Sequence, residues 1–353
     1  MQRILSAGLT SALLILLTAF LTAAHAATVE DLGSARVPVT DEGTPERSRA
    51  IAAAFAAVLV KIAGDSAHLG DARVAGLRRQ AASFNTLFGY ERGTDGALWL
   101  RADFDAARVA TALREAGIAV WGRERPELTL RLVLRDAMHA PVAGTDETAV
   151  LLREAVAREA VQRGIPLQWS AQPFPAGTPG EASLAAPLLL DRLREVDEAP
   201  ETRLDLVLEP DGATPPVWTV QWRLYVKDAP ARPALAEGRA QRDLPETLLQ
   251  AELGKAFDAL ARHYLTATAA PAAGEFQIRI EGVDSPEAWA RTVHYLESLD
   301  VLTRVRVERV ENGVLQVGLE AHGGEVAFAQ ATGFGQVLRA APGERGRYTV
   351  LPR

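Results

Sequence analysis

Apolar positions along the chain follow two rhythms, and the changes of rhythm outline the elements. Residues 35–39 read as a short strand. Thr44-Pro45-Glu46 predicts a helix start, with Thr as cap, Pro at the first helical position and Glu at the positive helix end. Ile51, Phe55, Val58, Leu59 and Ile62 then recur at helical spacing and form one apolar stripe. Gly64 falls where a left-handed C-cap belongs. A second helix is predicted over 74–87. From 97 to 104 the period becomes two: Leu98, Leu100, Ala102 and Phe104 share one face, and Trp99, Arg101 and Asp103 the other. Asp105 caps a further helix that carries Val109, Leu113 and Ala116 and stops at Gly117.

Residues 121–126, WGRERP, punctuate the chain with Gly122 and Pro126 and predict a domain boundary. A strand over 128–134, a helix capped by Thr145 or Asp146 and ended by Gly164, and a strand over 165–169 predict a right-handed parallel crossover. A Pro/Gly-rich loop (171–181), a helix (188–196) and a strand carrying Leu204, Leu206 and Leu208 follow. Over 217–227, Trp218, Val220, Trp222, Leu224 and Val226 share a face, which places both tryptophans in a core rather than on a sugar-stacking platform. A long helix over 245–264 presents Leu249, Leu253, Phe257 and Leu260. Residues 266–274, TATAAPAAG, read as a linker. Beyond them lie a strand with Phe276, Ile278 and Ile280, a helix opened by Ser285-Pro286-Glu287 with Trp289, Val293 and Leu296 inward, and two strands flanking Asn312-Gly313. The last two are a hairpin signal. A short helix near Val326 and a strand near Tyr348 complete a βαββαβ, ferredoxin-like order.

The expected class is therefore α/β and α+β, in three small mixed domains. They cover residues 27–122, 123–265 (with the βαβ unit) and 275–353, with 266–274 as linker. The length of 353 residues agrees with two or three domains. Residues 1–26 read as a secretory signal: Arg3 precedes an apolar run, and Ala24-His25-Ala26 offers small residues for cleavage after Ala26. An uncleaved anchor is the alternative, but it needs about 20 apolar residues. The expected location is periplasmic, with no membrane span after signal removal.

Composition narrows the chemistry. The chain has no Cys, which excludes disulfides, thiol catalysis and Cys-built zinc sites. Its formal net charge is −7 without a basic block, so nucleic acid is not an expected partner. The histidines do not fall at ligand spacing, and Walker and dinucleotide motifs are missing, so neither a metal nor a cofactor is expected. Gly64-Asp65-Ser66 with Asp136-x-x-His139 has the outline of a Gly-Asp-Ser esterase. However, Ser66 follows a helix rather than a strand, and only about 70 residues separate the two ends, too few for the sheet such a mechanism uses. Gly64 as a C-cap and Asp65-Ser66 as a turn is the plainer reading. Trp99, Arg101, Trp121 and Arg125 are the candidate interface or cleft residues.

Arg49-Ala50, Val58-Leu59-Val60-Lys61-Ile62-Ala63-Gly64, Phe88-Gly89-Tyr90, Leu98-Trp99, Phe104-Asp105, Gly117, Trp121-Gly122 and Arg125-Pro126 occur in an order that resembles domain-of-unknown-function family 2066 (DUF2066), secreted proteins of Gram-negative bacteria. Residues 163–167 and the Trp218/Trp222 strand extend the resemblance. It implies a periplasmic protein and supplies no catalytic residues. Where relatives carry an acidic segment after the Gly-Ile-Pro-Leu strand, this chain has the Pro-rich loop. Three functions are expected from these features. The first is a non-enzymatic interaction or scaffold protein with an unknown envelope partner. The second is a binder of a small ligand in a cleft near Trp121 and Arg125, and the third is the esterase.

Overall fold

The computed structural model describes residues 27–29, 31–93, 96–170, 184–196, 202–226, 234–268, 273–334, 337–341 and 343–352. The expected signal segment, the loop at 171–181 and Lys227 lie outside them.

After β1 (Ala27–Thr28), the first unit runs β2 (Ser34–Pro38), α1 (Thr44–Ala63), a 3-10 turn (Ser66–Gly70), α2 (Ala72–Arg79), α3 (Ala81–Phe84), β3 (Asn85–Arg92), β4 (Leu98–Phe104) and α4 (Ala106–Glu115). Its antiparallel sheet has the order β2-β4-β3. The stripe of α1 packs on one sheet face, where the Phe55 ring lies 5.1 Å from those of Phe84 and Phe104. Gly43, not Thr44, is the N-cap, and no side chain caps it; Thr44 is already helical. The helix expected over 74–87 breaks at Gln80, resumes as α3 and gives way to β3 at Asn85. Thr86, Phe88 and Tyr90 are good strand formers, and pairing along the second edge of β4 outweighs the weak helix propensity of this stretch.

The second unit comprises β5 (Glu124–Arg125), β6 (Leu128–Leu134), α5 (Glu147–Arg163), β7 (Leu167–Trp169), α6 (Ala186–Val196), β8 (Arg203–Pro210), β9 (Trp218–Tyr225), β10 (Ala236–Arg242) and α7 (Pro245–Thr268). Its sheet order is β10-β9-β8-β6-β7, with β6 parallel to β7 and β8 as the crossover requires. Asp146, rather than Thr145, caps α5. Helices α5 and α7 cover one face over Leu204, Leu206, Leu208 and Trp222, and α6 covers the other over Val133 and Val207. Both faces of β8 are therefore buried. Arg203 and Asp205, which alternate with the leucines of β8, are buried and bond to each other at 3.0 Å. Strand β10 was not expected, because AEGRAQR has no apolar alternation. Gly238 admits it: a Cβ there would lie 2.5 Å from Trp222 Nε1, and that indole donates to Glu252 at 2.8 Å.

The third unit is β11 (Ala273–Glu281), α8 (Pro286–Ser298), β12 (Leu302–Glu311), β13 (Val314–His322), α9 (Gly324–Gly333), β14 (Leu338–Ala340) and β15 (Arg347–Val350). Helix α7 continues through Thr268 and β11 opens at Ala273, so the outer residues of the stretch expected as a linker are helix and strand. Asn312 and Gly313 both have positive φ, as a two-residue hairpin demands. Trp289 is 41% exposed instead of inward. The sheet order is β12-β13-β11-β15-β14. A βαββαβ chain would bring its last strand back antiparallel to β11. Here β14 takes that direction at the sheet edge, and β15 turns back to lie parallel to β11. The unit is thus βαββαββ, one strand longer than the ferredoxin-like order expected.

Candidate functional site: a cavity where three units meet

The first two units are joined through main-chain carbonyls. Helix α1 ends at Gly64 with φ +79°, and a Cβ there would lie 2.8 Å from Ala261 and 3.0 Å from the Trp121 ring. Close approach therefore demands glycine as much as the conformation does. The Trp121 N–H donates to Ile62 O at 2.8 Å. Its buried ring stacks near Tyr264, 17° from parallel with centroids 6.5 Å apart, and the Arg125 guanidinium sits over it at 4.4 Å. Arg125 is fully buried and donates to five carbonyls: Lys61 at 2.6 Å, Trp121 at 3.1 Å, Gly122 at 3.0 Å, and Arg163 and Gly164 at 2.9 Å. Burial lowers its pKa, but a guanidinium stays protonated at neutral pH.

A second polar latch lies beside this one. Ser66 Oγ donates to Asp258 of α7 at 2.6 Å, and the Ser66 N–H donates to the same carboxylate at 3.0 Å. Arg163 pairs with Asp258, and Arg262 pairs with Asp65 at 2.9 Å. The two ends of the esterase outline are thus bound elsewhere. Ser66 holds a carboxylate, not an imidazole, while His139 Nδ1 lies 3.0 Å from Glu209 and Asp136 accepts from the Met138 and Ala140 amides in a tight turn.

Above the latch lies a cavity of about 480 Å³, walled by all three units. Ile118, Ala119, Val120 and Trp121 come from the first connection, and Tyr264 and Leu265 from the end of α7. Val301, Ala327, Ala331 and Phe334 come from the third unit. Tyr264 meets Phe334 edge-on at 5.0 Å, so aromatic rings of two units form one wall. The polar groups are few: Arg114, Glu124, Asp300, His322 and Gln330. Arg114 donates to Asp300 O at 3.1 Å, and Asp300 Oδ2 accepts the Arg123 N–H at 3.1 Å, which ties the third unit to the other two. Gln330 Oε1 is buried without a hydrogen-bond partner. Burial, with the like charge of Asp300, pushes the Glu124 carboxyl up to about 7, and Arg123 opposes this. Burial, with Arg114, lowers the pKa of His322. A mostly apolar space of this size with a few convergent polar groups has the form of a small-molecule site.

Of the residues singled out from the sequence, Trp121 lines this cavity and Arg125 lies beneath it. Trp99 and Arg101 are elsewhere, on the helix-free face of the first sheet. Trp99 is half-buried under Arg36 at 4.6 Å, and Arg101 pairs with Asp31 and Asp103, each at 3.2 Å. The sequence reading missed Glu124, Asp300, Gln330 and Phe334. Glu124 lies inside the boundary motif, which carried no separate reading for it. The others meet the cavity only through packing between units. Among the described residues, no group of three or more His, Asp or Glu side chains is placed to hold a metal ion.

Comparisons with known proteins correct one expectation. The family model that matches is Domain of unknown function (DUF8605), over residues 26–122, just over a quarter of the chain; it is not family 2066. None of the curated proteins compared with the chain matches it. Among solved structures, a formyltetrahydrofolate deformylase from Burkholderia mallei aligns at 13% identity over 55% of this chain and 90% of its own, with a TM-score of 0.15. One from Pseudomonas putida aligns at 15% identity over 54% and 89%, with a TM-score of 0.14. Likeness at that level assigns neither fold nor activity. Among the described residues no helix is long and apolar enough to cross a membrane.

Proposed function

We propose that this chain is a non-enzymatic protein of the cell envelope that holds a small, largely apolar ligand at the junction of its three units. The observation that carries this reading is the cavity at Trp121, Tyr264 and Phe334, lined mainly by apolar side chains with a few polar groups. Export is supported by the apolar run at 12–24 and by Ala24-His25-Ala26. Purification from its own cells followed by native mass spectrometry tests the reading. A small molecule should accompany the wild type and be absent from Ala331→Trp, which fills the space. Failure of any envelope extract to raise the melting temperature of the wild type would refute it. N-terminal sequencing should give Ala27 as the first residue of the exported form.

A second reading, docking of an envelope protein, is favoured by the free edge of β3. The register gives β4 residues 99, 101 and 103 to β3, so the backbones of Phe88, Tyr90 and Arg92 point outward. Leu87 is 64% exposed beside them. Unpaired edges of this kind recruit other chains. Crosslinking in the periplasm should capture one specific protein through this strand; capture that is unchanged in Leu87→Lys and Phe88→Glu counts against it.

A further inference from the structure

A second, larger cleft of about 1060 Å³ separates the helix-free face of the first sheet from the end of α5. Arg36 and Trp99 stand on the sheet side with Arg101. Arg158, Val161 and the Gly164–Pro166 turn form the opposite wall, and Lys61 lies at the floor. We infer that this cleft binds a small organic anion, its oxyanion head held by Lys61 and Arg158 and its apolar body against Val161, Ile165 and Trp99. The site is separate from the cavity at Trp121 and does not depend on the ligand proposed there.

Charge distribution is the first support. In a chain of formal net charge −7, this cleft is lined by Arg36, Lys61, Arg101 and Arg158 against only Asp31 and Glu91. Both carboxylates are already engaged, Glu91 with Arg36 at 3.4 Å and Asp31 with Arg101 at 3.2 Å. That leaves two cations. Among the described residues, Arg158 pairs with Glu154 alone, one turn away at 4.0 Å and well exposed. Lys61 is 5% exposed, and its ammonium donates to Ser34 O at 2.7 Å and Asp31 O at 3.2 Å. Among the described residues, no carboxylate oxygen lies within 4.0 Å of it.

Lys61 is the second support. Two carbonyls accept two of its three protons and do not neutralise its charge. An ammonium withdrawn from water without a paired carboxylate is strongly disfavoured. A neutral donor would serve as well if the role were only to fasten the turn before β2. Burial pushes the Lys61 amine down to about 8, Asp31 opposes this, and Arg125 and Arg101 add to it. At neutral pH it remains a cation, and it lines the cleft. Gly164 keeps the floor open: a Cβ there would lie 3.0 Å from Lys61 Cγ and 2.8 Å from an Arg125 nitrogen. Val161, 71% exposed on the rim, and Ile165 provide the apolar wall. An oxyanion between ammonium and guanidinium groups makes charge-assisted hydrogen bonds, and a short alkyl or aryl body adds buried area.

Isothermal titration of the full exported chain with hexanoate, hexyl phosphate, inorganic phosphate and hexylamine tests the inference. The two hexyl anions should bind, inorganic phosphate more weakly, and hexylamine not at all. Lys61→Gln keeps donors for both carbonyls and removes the charge; it should weaken the hexyl anions at least tenfold. Arg158→Glu, at an exposed position that does not threaten folding, should weaken them likewise. Ala331→Trp should leave them unchanged, which separates this site from the cavity at Trp121. Equal binding of hexylamine, or full affinity in both Lys61→Gln and Arg158→Glu, or no heat with either hexyl anion, would overturn the proposal.

Discussion

Arg125→Ala is the sharpest test of how the first two units are held together. The guanidinium is fully buried and serves five carbonyls from three stretches of chain: Lys61 at the end of α1, Trp121 and Gly122 in the connection, and Arg163 and Gly164 at the end of α5. A hydrogen bond to a charged group contributes about 1.5–3 kcal/mol. Five such bonds do not add, because water entering the vacated space re-satisfies some carbonyls. Removing one partner of a buried charged arrangement typically costs about 3–5 kcal/mol, and we expect Arg125→Ala in that range. Arg125→Lys keeps the charge but loses the planar fork and its stacking on Trp121, and should fall between Arg125→Ala and the wild type. Arg101→Ala is the control: its side chain is 48% exposed, and loss of its ion pairs should cost no more than about 1 kcal/mol. Urea unfolding gives the energies. Amide exchange gives the location, since the Trp121 N–H donates to Ile62 O and the Val29 N–H to Arg123 O. Both amides should lose protection in Arg125→Ala while those in β13 keep theirs. A cost below about 1 kcal/mol, or unchanged protection at Trp121, would refute the view of Arg125 as the fastening of this junction.

Glu124 makes stability depend on pH. Its pKa is raised in the folded state to about 7 from 4.5. The contribution is therefore neutral below about pH 4.5 and turns unfavourable as pH rises towards 7. It stays constant above that, at a cost of at most about 3 kcal/mol. Glu124→Gln should flatten the urea midpoint between pH 4.5 and 7; an identical slope in both proteins contradicts the burial argument. Gly238→Ala should cost about 1–3 kcal/mol by pressing a methyl into the Trp222 indole, readable as a lower melting temperature, and a neutral result would mean that β10 moves freely away. Ser66→Ala should lose about 1–2 kcal/mol through the Asp258 contact and leave any ester hydrolysis unchanged. Hydrolysis that disappears in this variant would restore Ser66 as a nucleophile.

Periodic stretches were legible from the sequence because one face of each meets one core. The stripes of α1 and α7, the two faces of β4, and the Asn312-Gly313 turn all declared themselves in this way. Elements whose reasons lie elsewhere in the chain were not legible. Strand β3 exists because β4 has a second edge to fill, and β10 because Gly238 lets Trp222 through. Strand β14, three residues long with Leu338 its one buried position, carries no pattern of its own. The candidate site divides along the same line. Trp121 stood out as an aromatic at a boundary, and Arg125 as a charge beside it. Glu124 differs from any exposed Glu only through the three units that surround it, and its neighbours Asp300 and Phe334 lie more than 170 positions away.

The fastening at Arg125 has a consequence for how this chain tolerates change. All five of its acceptors are backbone oxygens, which every amino acid supplies alike. Substitutions at 61 or 163 that preserve the chain path leave those oxygens in place, whereas 164 must stay glycine, because its φ is +62° and a Cβ there would lie 2.8 Å from an Arg125 nitrogen. Position 125 has no such freedom, since no other residue offers a rigid five-donor fork. The joint therefore places its demand for identity on Arg125 and on the glycines packed beside it, Gly64 and Gly164. The rest of its opposing surface can vary in sequence while the two units keep the same relative placement.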